Sequence, residues 1–243
     1  KNPGQFEAPF GITMRELIEL AGGIREGHQL KFWTPGGSST PIFTEAELDT
    51  PLDYESVGAA GSMLGTRALQ VFDETTSVVR VITRWIEFYQ HESCGKCTPC
   101  REGLRQMRYI LNEICEGRGK DGDVELLEEI GHMMQDASLC ALGRTAPNPV
   151  LTTIKFFREE YEEHIGEHRC PAGVCAALTR FAIDPQACKG CGMCAQKCPK
   201  KIILFPLKDD PNPPKPVVKP AAPAAAKPAA PAAPAEKPET KAE

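Results

Sequence analysis

The sequence lacks several features that would assign it to a function class at once. It has no run of roughly eighteen apolar residues, so no membrane-spanning helix is expected. It carries 28 Lys and Arg against 33 Asp and Glu, a net charge of -5, which argues against a nucleic-acid binder. It contains no Gly-x-Gly-x-x-Gly motif after a strand pattern, so no dinucleotide site is predicted. It also shows no secretory signal.

Cysteine, in contrast, is abundant, with eleven residues in 243. Seven of them form two closely spaced runs, Cys94, Cys97, Cys100 and Cys188, Cys191, Cys194, Cys198. The second run continues into Pro199 and so completes C-x2-C-x2-C-x3-C-P, the spacing of an iron–sulfur loop. Neighbouring cysteines in such short loops cannot all adopt disulfide geometry, and structural zinc prefers two separate pairs. The spacing therefore favours iron–sulfur clusters and electron transfer.

The pattern of apolar residues predicts an α+β fold that begins with a small domain at residues 1–73. Thr13 and Glu16 have capping-box spacing, which predicts a helix from this point to the glycine pair at 22–23. The expected buried face of this helix consists of Leu17, Ile18, Leu20 and Ala21. Short strand-like segments are expected at residues 5–8, 30–33 and 68–72.

Residues 74–169 read as four helices with short connections, which predicts an antiparallel bundle. The first helix contains Val78 and the second has Thr98 as its N-cap and Pro99 at its first position. The third is capped by Asp123, and the fourth opens at Asn148. The expected inward residues of the third helix are Leu126, Leu127, Ile130, Met133 and Met134. Cys115 lies on the apolar stripe of the second helix and is expected to be a buried core thiol.

The last part of the chain divides into two segments of different composition. Residues 170–205 are rich in cysteine and predict a small ferredoxin-like 4Fe-4S unit. Residues 206–243 hold half of the 22 prolines, together with alanine and lysine. Such a composition cannot bury enough apolar surface to fold, so a disordered tail is predicted.

The first cysteine run offers three thiolates, whereas a four-iron cube needs four ligands. Cys140, in the segment Ser138-Leu139-Cys140, is the candidate for the fourth. It follows the third predicted helix, and an antiparallel bundle returns the chain to the end that it left. A set of Cys94, Cys97, Cys100 and Cys140 is therefore plausible for one cluster.

The segment Glu92-Ser93-Cys94-Gly95-Lys96-Cys97-Thr98-Pro99-Cys100-Arg101-Glu102-Gly103 resembles the iron–sulfur loop of a known family. The family is the NADH-oxidising flavoprotein subunit of respiratory complex I and its relatives in NAD-linked or electron-bifurcating hydrogenases and formate dehydrogenases. Ser138-Leu139-Cys140 and the later Thr145-Ala146-Pro147-Asn148-Pro149 resemble its fourth-ligand segment. The resemblance covers roughly residues 1–165.

The resemblance implies a ubiquitin-like β-grasp domain at 1–73, a helical iron–sulfur bundle at 74–169, and FMN and NAD sites outside this chain. It implies several partners: a flavin- and NADH-binding domain, a thioredoxin-like 2Fe-2S subunit and an iron–sulfur subunit, with ferredoxin as a further candidate. The chain itself begins at Lys1 as if already inside a domain, so we expect a fragment or one half of a longer protein. The reduced cysteines predict a cytoplasmic location, with the cytoplasmic face of a membrane complex as an alternative.

Residues 170–205 resemble the C-terminal extension of the hydrogenase-type relatives, which usually carry two ferredoxin motifs. Only one motif is present here, so its fourth ligand stays open between Cys198, Cys170 and Cys175. The group of His168, Cys170 and Cys175 has two interpretations. In the first, these residues are ligands of zinc or of a cluster; in the second, the cysteines are reduced thiols beside an exposed histidine. His164 is expected at the surface.

The predicted function is the electron-transfer part of an NADH:acceptor oxidoreductase, with one or two 4Fe-4S clusters. One alternative is a stand-alone ferredoxin-like carrier, and another is a non-catalytic assembly module that binds zinc. The glutamates at positions 159, 160, 162 and 163 are expected to form a solvated helix face.

Overall fold

The computed structural model describes residues 1–179, 188–199 and 203. The chain divides into two compact units, residues 1–181 and 182–243. The first unit contains the helices α1 (Met14–Leu20), α2 (Tyr54–Ala59), α3 (Val78–Glu92), α4 (Thr98–Cys115), α5 (Asp123–Ala137), α6 (Ala141–Thr145) and α7 (Asn148–Gly166), and the strands β1 (Leu30–Thr34) and β2 (Gln70–Asp73). The second unit contains α8 (Met193–Lys197). The predicted tail at 206–243 lies outside the described residues.

The N-terminal part of the first unit is built on one antiparallel strand pair. β1 pairs with β2 so that Phe32 opposes Phe72. The capping box at Thr13 is present, since its hydroxyl accepts from the Glu16 backbone and the Glu16 carboxylate accepts from the Thr13 backbone. The predicted strand at residues 5–8 is wrong, because this exposed segment pairs with no strand among the described residues.

The buried face of α1 also differs from its prediction. Leu20 is 60 % exposed, and the one buried residue of the helix is Met14 in its first turn. The helix has only seven residues and ends at Leu20, so its last turn extends beyond the small core that Met14 enters. An apolar residue in a last helical turn is a weak indicator of burial when the helix is this short.

β1 is buried on both faces and belongs to two cores. Successive side chains of a strand point to opposite faces. Trp33 therefore packs in a core with Met14 and Phe43, whereas Phe32 enters the larger core of the helices. The Phe32 ring stacks on Phe72 with centroids 4.5 Å apart. The aromatic residues of the strand pair thus pack in the same hydrophobic core as the helices.

The four long helices are present as the sequence predicts, and each packs against its neighbours in the order α3, α4, α5, α7, with α7 returning to α3. The buried apolar residues of α3 recur at helical spacing and are Val78, Val79, Ile82, Ile86 and Tyr89. α4 begins at Thr98 with Cys97 as its N-cap, one residue before the predicted cap. α6 is an additional short helix between α5 and α7. Within the part of the chain that the structure describes, no helix is long and apolar enough to cross a membrane.

The buried face of α5 is narrower than the sequence indicates. Leu126 and Met133 are 42 % and 41 % exposed, although both were expected to point inward. The inward face instead includes Gly131, where an added Cβ would lie 2.8 Å from a methyl group of Leu151. Because glycine permits α7 to approach this closely, the helix turns that face inward and leaves the flanking apolar residues at the surface.

Glu160 forms a buried ion pair and does not belong to a solvated face, so that expectation is wrong for this residue. Its side chain is 8 % exposed, and Oε2 lies 2.5 Å from the Nζ of Lys31 on β1. Its Oε1 accepts a hydrogen bond of 2.8 Å from the backbone N–H of Val78, the first residue of α3. Lys31 also donates to the carbonyl of Thr76. These bonds fix β1, α3 and α7 relative to one another.

Removing the charge of Glu160 should destabilise the protein strongly. The Glu160→Gln variant leaves the Lys31 ammonium, which is 14 % exposed, without its counter-charge. Breaking a buried pair in this way costs about 3 kcal/mol of unfolding free energy. Urea denaturation of the purified chain measures this loss. The exposed neighbour provides the control, since Glu159→Gln should change the unfolding free energy by less than about 0.5 kcal/mol. Equal effects of the two variants would contradict the role of the pair.

Candidate metal centres

The first cysteine run forms the loop between α3 and α4. Cys94 is exposed, Cys97 is partly buried, and Cys100 is buried in the first turn of α4. Gly95 has a φ of 71°, a left-handed conformation that turns the chain between the first two cysteines. The guanidinium of Arg101 donates to the carbonyl of Gly95 at 2.7 Å and so braces this turn.

The structure brings Cys140 to this loop. Cys140 is exposed and immediately precedes α6. The N–H of Leu139, beside it, donates to the sulfur of Cys97, and the N–H of Cys100 does the same. These two bonds lower the pKa of Cys97 below its ordinary value. Burial raises the pKa of Cys100, and nearby Cys97, Cys140 and Cys94 add to this effect.

A glycine permits this close approach of two distant segments. A Cβ built on Gly143 in α6 would lie 2.9 Å from the Cβ of Cys100 and 2.6 Å from the Oγ of Ser138. Real Cβ atoms essentially never come this close to other heavy atoms. Any larger residue at position 143 would therefore push Cys140 away from the loop.

The four thiols form a donor set that fits a four-iron cube. Such a cube binds each of four cysteine thiolates through a different iron atom. The two N–H donors on Cys97 also suit a thiolate that carries negative charge.

The second cysteine run lies in the second compact unit. Cys191 and Cys194 are exposed, whereas Cys188 and Cys198 are partly buried. Gly190 and Gly192 have φ values of 65° and 69°. These left-handed turns curve the chain between the cysteines, and Gly192 is the N-cap of α8.

A third group of metal-binding residues lies in the first unit. It consists of His164, Cys170 and Cys175, which each offer one ligand atom, and these three atoms lie within 4.8 Å of one another. All three residues are buried. The Sγ of Cys175 is 3.6 Å from the Nε2 of His164. His164 is fully buried, so the expectation that it lies at the surface is wrong. His168, the histidine that the sequence favours, is exposed and lies outside this group.

Cys115, the last residue of α4, lies beside this group and contacts Cys175. It is buried, as predicted, and its sulfur accepts a hydrogen bond from the thiol of Cys175. This bond lowers the pKa of Cys115, and it raises the pKa of Cys175, which burial raises further. Burial raises the pKa of Cys170, but N–H donors from Cys175 and Val174 outweigh it and the net shift is downward.

The orientation of the His164 ring suits a metal ligand. Its Nδ1 lies 2.6 Å from the carbonyl oxygen of Glu160, and a carbonyl can only accept, so Nδ1 carries the proton. The lone pair of the neutral ring is then on Nε2, which faces Cys175. Metal-bound histidines are typically oriented by this kind of outer hydrogen bond.

His164 and Cys115 were missed as ligands for different reasons. His164 continues the buried positions Ile154 and Tyr161 at helical spacing, so the periodicity of α7 was a sufficient signal. Cys115 is separated from Cys170 by 54 residues, and nothing in its local sequence distinguishes it from a core thiol. Only the packing of α4 against residues 170–179 brings it to this position.

Comparison with known families finds matches over segments that contain the two cysteine runs. Residues 80–164 match the NADH-ubiquinone oxidoreductase-F iron-sulfur binding region, and residues 181–204 match the 4Fe-4S binding domain. The chain is 61 % identical over 169 residues to the F subunit of NADH-quinone oxidoreductase from Streptomyces coelicolor, and the match covers 70 % of this chain and 38 % of that protein. It is 40 % identical over 204 residues to HndC, a subunit of the NADP-reducing hydrogenase of Solidesulfovibrio fructosivorans, covering 84 % and 42 %.

A solved structure is also similar. The NAD+-reducing [NiFe]-hydrogenase in the H2-reduced state superposes with a TM-score of 0.61 at 28 % identity, over 69 % of this chain and 28 % of that one. The chain spans about two-fifths of the length of the curated relatives described above. The resemblance inferred from the cysteine loop is thus confirmed, and the matches to two iron–sulfur binding families support the expected 4Fe-4S cofactor.

Proposed function

We propose that this chain is the electron-transfer part of an NADH:acceptor oxidoreductase subunit. The observation that carries the proposal is the approach of Leu139 and Cys140 to the loop of Cys94, Cys97 and Cys100. The match of residues 80–164 to a region defined by iron–sulfur binding supports it. In this proposal Cys94, Cys97, Cys100 and Cys140 hold one 4Fe-4S cluster, and Cys188, Cys191, Cys194 and Cys198 hold a second.

A bound cluster supplies one-electron chemistry, and the residues of this chain hold and tune it. Backbone N–H groups of Leu139 and Cys100 stabilise the thiolate of Cys97. Burial of Cys100 keeps water from one side of the site, while Cys94 and Cys140 remain exposed on the other. The sites for NADH and FMN belong to a flavin domain outside this chain. A thioredoxin-like 2Fe-2S subunit and an iron–sulfur subunit are the proposed partners, in the cytoplasm or at its membrane face.

Metal analysis separates this proposal from its two alternatives. We expect about eight iron and eight sulfide per anaerobically purified chain, as two cubes require. A zinc-binding assembly module would contain zinc without iron. A stand-alone ferredoxin-like carrier would contain iron but would not form a stable complex with a flavin- and NADH-binding domain, which co-purification measures.

Replacing one ligand of the first cluster should remove that cluster alone. Because Cys97 receives the N–H donors that stabilise a thiolate, Cys97→Ser should lower the iron content by about four per chain. The electron paramagnetic resonance signal of the second cluster should persist. The matched variant is Cys191→Ser, which should show the reverse pattern. An unchanged spectrum of the reduced Cys97→Ser protein would refute the ligand assignment.

We also propose that Cys115, His164, Cys170 and Cys175 hold one zinc ion. Three thiolates and one imidazole form a common structural zinc set, which has no open position for a substrate. Tetrahedral zinc places a thiolate sulfur and an imidazole nitrogen roughly 3.6 Å apart, in agreement with the separation of Cys175 and His164. The ion would attach residues 170–175 to the ends of α4 and α7. This site replaces the His168 set that the sequence suggests.

The histidine variants test this zinc site directly. His164→Asn should lower the zinc content from about one per chain to a trace, with the iron content unchanged. His168→Asn is the matched control, since His168 is exposed at a φ of 49° that asparagine tolerates. It should retain zinc. Loss of zinc from the His168 variant alone would contradict the assignment, as would a wild-type protein without zinc.

A further inference from the structure

Ser93 is placed to donate a hydrogen bond to a cluster ligand. It follows the last residue of α3, and its Oγ lies 3.3 Å from the Sγ of Cys100. The backbone N–H of Gly95 donates to the same Oγ at 3.2 Å. Since an N–H can only donate, the serine oxygen accepts there and its own hydrogen remains for the sulfur. A thiolate bound to iron carries no proton, so the direction of the Ser93–Cys100 bond is fixed.

Ser138 is a second hydroxyl at the same site. The residue is 1 % exposed, and its Oγ is one of the few buried side-chain atoms in the described residues that have no hydrogen-bond partner. Its backbone groups are satisfied by Met134 and Arg144. The position that a Cβ would occupy on Gly143 lies 2.6 Å from this Oγ and 2.9 Å from the Cβ of Cys100. The hydroxyl is therefore within 5.5 Å of that carbon.

A buried hydroxyl without a partner destabilises the fold, so such a group usually has a function or a ligand. The sulfur atoms of a cluster bound by Cys100 would supply hydrogen-bond acceptors for a hydroxyl this close to that residue. Neither serine is required to hold the cluster, because cysteine thiolates make the bonds to iron. Their effect would be on its reduction potential.

Building on the proposed first cluster, we propose that Ser93 and Ser138 donate O–H···S hydrogen bonds to the Cys100 side of it and so raise its reduction potential. Reduction adds negative charge that spreads onto the sulfurs, and a hydrogen-bond donor stabilises the reduced form more than the oxidised form. The two serines are positioning residues that make the first cluster easier to reduce. They lie at the C-terminal ends of two different helices, α3 and α5.

A redox titration of the full chain, followed by electron paramagnetic resonance, tests this role. At a fixed ambient potential, Ser93→Ala should lower the ratio of reduced to oxidised first cluster about tenfold, which corresponds to about 59 mV for one electron. Ser138→Ala should shift the ratio in the same direction. Ser93→Thr, which keeps the hydroxyl, should restore the wild-type ratio. The second cluster is the internal reference and should not shift.

Ser62→Ala is the matched control, since Ser62 donates to the carbonyl of Pro41 in the N-terminal part. It should leave both clusters unchanged. Unaltered ratios in both the Ser93 and Ser138 alanine variants, at full iron content, would overturn the inference. Iron-free wild-type protein would instead overturn the proposed function, so the two failures are distinguishable.

A second measurement applies if an alanine variant loses its iron. Hydroxyl protons exchange with D2O within the shortest incubation, whereas hydrogen-bonded amides in stable structure exchange slowly. Electron–nuclear double resonance on the briefly exchanged, reduced wild-type protein should therefore detect deuterium coupled to the first cluster. No rapidly exchanging coupling at this cluster would refute the hydrogen bonds from both serines.

Discussion

The buried residue Glu160 connects three parts of the first unit, and the positions of both candidate metal sites in that unit depend on it. Its carboxylate accepts Lys31 from β1 and the first N–H of α3, while its backbone carbonyl orients the ring of His164. A charged pair at this depth must overcome a large desolvation cost. It does so here because both carboxylate oxygens are bonded. The pair thereby sets where α3 starts, and α3 leads directly into the cysteine loop.

The two candidate centres of the first unit occupy opposite ends of one helix. Cys100 lies in the first turn of α4 and Cys115 is its last residue, about 22 Å apart along the axis. The first centre combines a local run with one distant thiol, which α5 and α6 deliver. The second combines residues of three segments, namely Cys115 of α4, His164 of α7, and Cys170 and Cys175 in the segment that follows α7. The length of α4 therefore sets the separation of the two centres.

Features that depend on neighbouring residues could be predicted from the sequence. The capping box at Thr13, the apolar stripe of α3 and the cysteine spacing at 94–100 are of this kind. The approach of Cys140 could also be anticipated, because short connections return the chain in an antiparallel sense. Two of the failed predictions were decided by contacts distant in sequence: Leu151 against Gly131 leaves Leu126 exposed, and Lys31 makes Glu160 a buried ion pair. No periodicity encodes such contacts.

The uneven burial of the first cysteine set has a consequence for the path of an electron. Cys100 is 4 % exposed, whereas Cys94 and Cys140 are open to solvent and Leu139 between the segments is 71 % exposed. Electron tunnelling weakens steeply with every added ångström, so exchange with a donor or acceptor occurs at the edge where the protein layer is thinnest. If the proposed cluster occupies this site, electrons would enter or leave at the edge formed by Cys94, Leu139 and Cys140, and the helices behind Cys100 would separate the cluster from solvent on the other side.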